Sequence, residues 1–121
     1  MARKLGIGQR TVKRGAVVRI REGRDGVLSN RRGIVMSAAP NSDYVRAYGP
    51  EFYVCEVFSE PGTALVVRDA VKSKDIARIK QLVEHATTIS EKNVSMLQVV
   101  GRVKKIPQIC TYAMKIEKGK L

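Results

Sequence analysis

Residues 15–23 read Gly-Ala-Val-Val-Arg-Ile-Arg-Glu-Gly, and within them Val18 and Ile20 alternate with Arg19 and Arg21. Successive side chains of a β-strand point to opposite faces of the sheet. The alternation therefore predicts a strand with one buried face and one solvent-exposed, cationic face. On this pattern the globular part of the chain begins in β-structure.

The same stretch resembles a known motif. Together with Gly26 and residues 32–35 (Arg-Gly-Ile-Val), it is similar to the KOW motif of small barrels in ribosomal proteins and transcription elongation factors. Gly15 and Gly23 keep the spacing of that motif, whereas the interval to Gly33 is several residues longer than usual. The resemblance covers roughly a third of the chain. It implies a Src-homology-3-like small barrel that contacts RNA or protein, usually inside a larger ribonucleoprotein.

The rest of the N-terminal half is predicted to form short strands separated by loops. Residues 22–30 and 40–51 are polar and are expected to be loops, while residues 34–36 and 52–58 are rich in β-branched or aromatic side chains and are expected to be strands. A Pro-Gly pair then suits a tight turn into another strand at 64–68. The sequence therefore predicts a hairpin at this point.

The pattern changes at Ser73, which is a suitable helix N-cap. Apolar residues then repeat every three or four positions, which predicts one amphipathic helix over about 74–86. Residues 87–93 are expected to be a polar connection. Strands at 94–103 and 110–117 are expected to flank a basic turn and to form a C-terminal β-hairpin.

The predicted fold class is α+β and rich in β-structure. It consists of a small barrel-like antiparallel sheet, one packed amphipathic helix and the C-terminal β-hairpin. A chain of 121 residues with 44% hydrophobic content suits one domain, which we place at 15–121. Residues 1–14 have few apolar side chains and are predicted to form a basic N-terminal arm.

Positive charge is segregated along the chain, whose formal net charge is +12. Residues 1–32 hold ten Lys and Arg against two acidic residues, residues 33–71 hold two against five, and residues 72–121 hold eleven against four. A dense patch of one sign repels itself, and a polyanionic partner that releases counterions on contact offsets the repulsion. The predicted partner is therefore RNA, or failing that another polyanion.

The predicted nucleic-acid-binding residues are cations and loop tyrosines. Arginine binds phosphate through paired hydrogen bonds, and tyrosine stacks on unpaired bases. The N-terminal arm contributes Arg3, Lys4, Arg10, Lys13 and Arg14. The strand face and its adjoining loop contribute Arg19, Arg21, Arg24, Arg31 and Arg32. The polar loop contributes Tyr44, Arg46 and Tyr48, and the basic turn contributes Arg102, Lys104 and Lys105. Two structural alternatives remain open: cations also discourage pairing at a strand edge, and loop tyrosines often pack on their own barrel.

Catalytic chemistry finds little support in the sequence. His85 is the only histidine and falls on the polar face of the predicted helix, and Glu51, Glu56 and Glu60 include no close pair suited to acid–base work. We therefore predict no enzyme activity, no catalytic residue, no metal site and no cofactor.

Both cysteines are expected to be structural. Cys55 and Cys110 lie in apolar stretches without a histidine or second cysteine at metal-binding spacing, so we predict buried free thiols.

The sequence also bears on location. No apolar run reaches the roughly 18 residues that a membrane span needs, and the N-terminus lacks the apolar core of a secretory signal. The expected location is therefore the cytoplasm or an organellar matrix, without secretion and without a membrane partner.

The predicted function is a small basic RNA-binding protein, a structural component of a ribosome or similar ribonucleoprotein with protein neighbours. The alternative is a non-enzymatic adaptor or structural assembly protein, of phage or organellar type, that bridges acidic and basic partner surfaces. A DNA-binding regulator ranks lower, because a helix-turn-helix needs two helices and only one is predicted.

Overall fold

The computed structural model describes residues 12–22, 27–39, 49–58 and 63–121. Within these ranges the strands are β1 (Ala16–Glu22), β2 (Val27–Ala38), β3 (Glu51–Val57), β4 (Thr87–Asn93) and β5 (Leu97–Arg102). The α-helices are α1 (Thr63–Lys72), α2 (Ile76–Ala86) and α3 (Gln108–Glu117). A single 3₁₀ turn, Val94–Met96, joins β4 to β5. The α+β class predicted from the sequence is confirmed.

All five strands belong to one antiparallel sheet with the order β4-β3-β2-β1-β5. The two edge strands, β4 and β5, are consecutive in the chain and only three residues apart. Those residues rise about 2 Å each in 3₁₀ geometry, whereas the edges of a flat five-stranded sheet lie about 19 Å apart. The sheet must therefore curl so that the end of β4 approaches the start of β5, although no ladder joins these two strands in the described ranges.

The concave side of the curled sheet holds one apolar cluster. Its residues have almost no exposed surface, and the sheet contributes them from four strands: Ala16, Val18, Ile20, Val35, Val54 and Leu97. The alternation of β1 is thus confirmed, because its even-numbered apolar residues are buried while Arg19 and Arg21 are only half-buried on the other face. Burial of this apolar face is what favours the curl.

The three helices cover part of the opposite face of the sheet. Met36 and Cys55 project from the strands into a second cluster, which the helices complete with Val67, Ala70, Ile79, Val83, Ala86, Ile109, Cys110, Ala113 and Met114. Cys55 and Cys110 are both buried and free, as the sequence predicted. No helix in the described ranges is both long enough and apolar enough to cross a bilayer.

Two segments predicted as strands are helices. Residues 64–68 belong to α1, so the hairpin expected there is wrong. Residues 110–117 belong to α3, so the C-terminal hairpin is wrong as well. In both cases the apolar side chains that face the core recur three and four positions apart, and in such short segments this pattern also satisfied a period of two. The described ranges hold three helices instead of the single predicted one, so the number of helices no longer ranks a DNA-binding helix pair lower.

Two predicted loops are partly or wholly strands. β2 starts at Val27, inside the loop expected at 22–30, and residues 87–93 form β4. β4 is a polar edge strand that pairs with β3 along its whole length, and the sequence signal was weak because Ile89 is its only aliphatic residue, as suits an edge strand. The polar loop predicted at 40–51 lies mostly outside the described residues, although Glu51 itself opens β3.

The remaining elements agree more closely with the sequence. The strand predicted at 52–58 is β3, and the helix predicted at 74–86 is α2. The N-cap of α2 is Asp75 rather than Ser73, and its carboxylate accepts a hydrogen bond of 3.1 Å from the backbone N–H of Arg78. The strand expected at 94–103 divides into the 3₁₀ turn and β5.

Candidate nucleic-acid interface

A groove of about 510 Å³ lies where the start of β1 meets the segment that follows β5. Four cationic side chains line it together with Gly15, Val103, Ile106 and Thr111; they are Arg14, Arg102, Lys104 and Lys105. All four are exposed. The structure thus joins the last cation of the predicted arm to the predicted basic turn, which are far apart in the chain.

Gly15 holds these two segments together. Its backbone N–H donates to the carbonyl of Val35, and its own carbonyl accepts from the N–H of Val103, both at 2.9 Å. Its φ of +92° lies in the left-handed region that glycine adopts without steric cost. This conformation lets one residue link β2 to the end of β5, and it places the neighbouring Arg14 at the rim of the groove.

A second groove, of about 240 Å³, adjoins the first and shares Arg14 and Thr111 with it. Three more lysines line this groove: Lys115, Lys118 and Lys120. The chain curls back after α3, since Lys120 N–H donates to the carbonyl of Lys115 at 2.8 Å and Gly119 takes a φ of +69°. This turn places the C-terminal lysines beside Arg14.

We call the seven cations of the two grooves the basic surface; they are Arg14, Arg102, Lys104, Lys105, Lys115, Lys118 and Lys120. Among the residues that the structure describes, no carboxylate lines either groove. Cations gathered in this way, without a carboxylate among the described lining residues, create a positive potential that attracts anions such as phosphates.

Three of these cations were not predicted. Lys115 lies within the strand predicted at 110–117, and Lys118 and Lys120 follow it. On a helix, Thr111, Lys115 and Lys118 are spaced by four and three residues and share a face. Had 108–117 been predicted as a helix, these lysines would have been expected on one helix face that extends from the basic turn.

Arg31 forms an ion pair within the fold. Its guanidinium Nε and Nη2 donate to the two carboxylate oxygens of Glu56, each at 2.7 Å. Glu56 is almost fully buried and also accepts a 3.2 Å hydrogen bond from the hydroxyl of Ser90. Two of the five N–H donors of this guanidinium are therefore used within the protein, while 42% of the side chain is exposed.

Burial works to raise the pKa of Glu56, but the hydrogen bonds and charge of Arg31 outweigh it, with smaller help from Ser90 and Lys92. The net effect lowers the pKa of this carboxyl. The ion pair ties β2 to β3 and keeps Glu56 ionised inside the fold.

The other strand arginines lie on the outer face of the sheet. Arg19 is directly opposite Arg32 on β2 and Gln98 on β5, and Arg32 is exposed. Arg102 is level with Ala16 at one end of β1, whereas Arg21 lies five residues further along, which at about 3.3 Å per residue is about 17 Å. Arg19, with Arg32 opposite it, lies three residues along, about 10 Å, so the strand-face cations extend away from the basic surface along β1.

The remaining predicted residues lie outside the described ranges, apart from Lys13, which is exposed in the turn before β1. Those outside are Arg3, Lys4, Arg10, Arg24, Tyr44, Arg46 and Tyr48. Within the described ranges no three residues of the His, Cys, Asp and Glu types come together as a metal site would require.

Comparisons with protein-family models, with curated proteins and with solved structures found no match to this chain.

Proposed function

We propose that this chain is a small RNA-binding protein that acts as a structural component of a ribosome or similar ribonucleoprotein and contacts phosphates through the basic surface. One observation carries the proposal: seven cations from three separate parts of the chain line two adjoining grooves without a carboxylate among the described lining residues. The segregated charge of the whole chain supports the same partner.

The arm and the strand face extend the proposed contact area. Arg19, Arg21 and Arg32 form a second cationic region about 10 to 17 Å along β1, and a flexible polyanion reaches both regions more readily than a small ligand does. Arg31 is left out of the proposed interface because Glu56 already binds its guanidinium group.

We also propose that the curled sheet is a small barrel of the Src-homology-3-like type that the KOW resemblance implies. The sheet order and the three-residue 3₁₀ link between its edge strands support this interpretation. Of the described residues of the motif, 16–22 form β1 and 32–35 lie in the middle of β2.

The salt dependence of RNA binding tests the proposed function. If about six phosphates are neutralised, log K falls with log salt at a slope of roughly −4 to −5. A fluorescence anisotropy titration of a labelled RNA at several salt concentrations measures this slope. A slope near zero would refute the phosphate contacts.

A pair of matched double variants locates the contacts. Lys118→Gln with Lys120→Gln removes two charges from the basic surface, and we expect the slope to become shallower by roughly 1.4 to 1.8. Lys72→Gln with Lys80→Gln removes two exposed charges from α1 and α2 and is expected to leave the slope nearly unchanged. Equal effects of the two double variants would show that binding follows net charge rather than this surface.

The adaptor alternative predicts a protein partner whose complex with this chain survives nuclease treatment and is not displaced by heparin. The structure weakens its acidic side, because Glu56, one of the five acidic residues of the central segment, is buried in an internal ion pair.

A further inference from the structure

A larger cavity, of about 580 Å³, lies beside the basic surface. Its walls come from the end of β3, from α1 and from the segment that leads into α3, and are mostly apolar: Val57, Ala64, Val67, Ile106, Pro107 and Ile109. Three polar side chains complete the described lining: Arg68, Lys105 and Gln108. The volume falls within the range of about 300 to 1,000 Å³ that is typical of sites for small organic groups.

Lys105 connects this cavity to the basic surface, because the same side chain lines both the cavity and the 510 Å³ groove. Ile106 also lines both. The cavity and the groove therefore share a wall, and the described polar residues of the cavity are two cations and an amide, without a carboxylate.

We propose that this cavity receives an unpaired nucleobase, so that the RNA bound by the basic surface is single-stranded. This inference rests on the proposed function. A base presents flat apolar faces, which the aliphatic wall can bury, and a hydrogen-bonding edge, which the amide of Gln108 can contact as both donor and acceptor. The guanidinium plane of Arg68 offers a stacking surface, and Lys105 pairs with the adjoining phosphate.

A duplex does not meet these requirements. Its bases are stacked and paired, so that none enters a side cavity without the cost of unstacking. Single strands expose their bases while keeping the same charge per nucleotide, and proteins bind them by combining a cationic track with surfaces that bury base faces. The proximity of apolar cavity and basic surface therefore favours a single strand over a duplex.

The test compares a single-stranded RNA of ten nucleotides with the same strand carrying abasic riboses in place of its central nucleotides, and with the corresponding duplex. We expect fluorescence anisotropy to show about tenfold weaker binding of the abasic strand and of the duplex by the unaltered protein. Binding of the abasic strand with equal affinity would overturn the base site and leave the proposed function intact. Absence of salt-dependent binding to every probe would refute the proposed function itself.

Matched variants place the base in the cavity. Ala64→Phe fills the cavity from an exposed position, the second residue of α1, and is expected to abolish the preference for the intact strand without changing the salt slope. Ala77→Phe, at the exposed second position of α2 and outside the cavity lining, is the control and is expected to keep the preference. Equal behaviour of the two variants would overturn the assignment.

A milder pair keeps the test decisive if the larger side chains disturb folding. Gln108→Ala removes the amide from the cavity, while Gln81→Ala removes an exposed amide from α2. We expect only the first to reduce the preference, by about threefold to tenfold, as the loss of one base-edge contact implies. A different outcome would show that the cavity is a peptide site and that the base assignment is wrong. In that outcome Ala64→Phe abolishes binding of an acidic peptide with apolar residues but does not change the preference for the intact strand over the abasic strand.

Discussion

The ion pair between Arg31 and Glu56 yields a quantitative prediction about stability. In Arg31→Met the aliphatic stem is kept, while both 2.7 Å hydrogen bonds to the carboxylate are lost. Glu56 then remains buried with only the 3.2 Å hydrogen bond from Ser90 among its described partners. A carboxylate left in this position is poorly solvated, so the folded state loses free energy.

The magnitude follows from the exposure of the two partners. Removing one member of a fully buried ion pair costs about 3 to 5 kcal/mol, but 42% of the Arg31 side chain is exposed, so water screens part of the interaction. We therefore expect the free energy of unfolding to fall by about 2 to 3 kcal/mol at pH 7. With an m-value of roughly 1.5 kcal/mol per molar urea, the unfolding midpoint falls by roughly 1.3 to 2 M.

The loss should depend on pH in a defined direction. In the unaltered protein the pKa of Glu56 is lowered, so the stability it contributes is present above the unfolded value near 4.3 and is lost as the pH falls through the lower folded value. In Arg31→Met the desolvation remains without its main counterweight, and the pKa of Glu56 rises. The carboxyl then accepts a proton in mild acid, and the deficit of the variant shrinks as the pH falls from 7 towards about 4.5.

Urea denaturation at pH 7, 6 and 5, followed by circular dichroism, measures this effect. Arg32→Met is the control, since it removes the same charge from the next residue of β2, where the side chain is exposed and faces Arg19 across the strands. Arg31→Met with Glu56→Gln should be more stable than Arg31→Met alone, because the buried charge is gone. Equal losses for Arg31→Met and Arg32→Met, or a loss that does not change with pH, would refute the reasoning.

Three further predictions concern packing and capping. Gly33→Ala places a Cβ where it overlaps the Cγ1 atom of Val54, so we expect a loss of about 1 to 3 kcal/mol in urea denaturation, and a smaller additional loss when the same change is made in a Val54→Ala background. Asp75→Ala removes the N-cap of α2 and should lower the free energy of unfolding by about 1 kcal/mol, whereas Asp75→Asn should retain most of the stabilisation by the cap. The thiols of Cys55 and Cys110 should react with a disulfide reagent only after unfolding, because both are buried. Contact with Cys110, together with burial, also raises the pKa of Cys55, which disfavours the reactive thiolate. Rapid reaction of the native protein would contradict this packing.

Elements with one strong local pattern were predictable from the sequence. β1 shows a strict two-residue alternation and α2 shows apolar residues at helical spacing, and each periodicity follows directly from the geometry of the element. In α1 and α3 the apolar residues satisfied both periods over a few positions, so the choice between strand and helix depended on what they pack against. That information comes from contacts between distant residues.

The candidate site also combines features that the local sequence predicted with features that depend on contacts between distant residues. The sequence indicated that Arg14 and the Arg102–Lys105 segment are cationic, but it placed them in two separate groups. It also indicated nothing of the pairing between Arg31 and Glu56, because an arginine that binds a phosphate and one that binds an internal carboxylate have the same local sequence signal.

By itself the sequence determined the charge distribution, the alternating face of β1 and the amphipathic face of α2, since each is a property of neighbouring residues. Only the tertiary structure decided which cations share a surface. The hydrogen bonds from Gly15 to Val35 and Val103 join segments that are about 20 and 88 residues away in the chain, and such long-range pairing depends on the register of the whole sheet rather than on any local pattern.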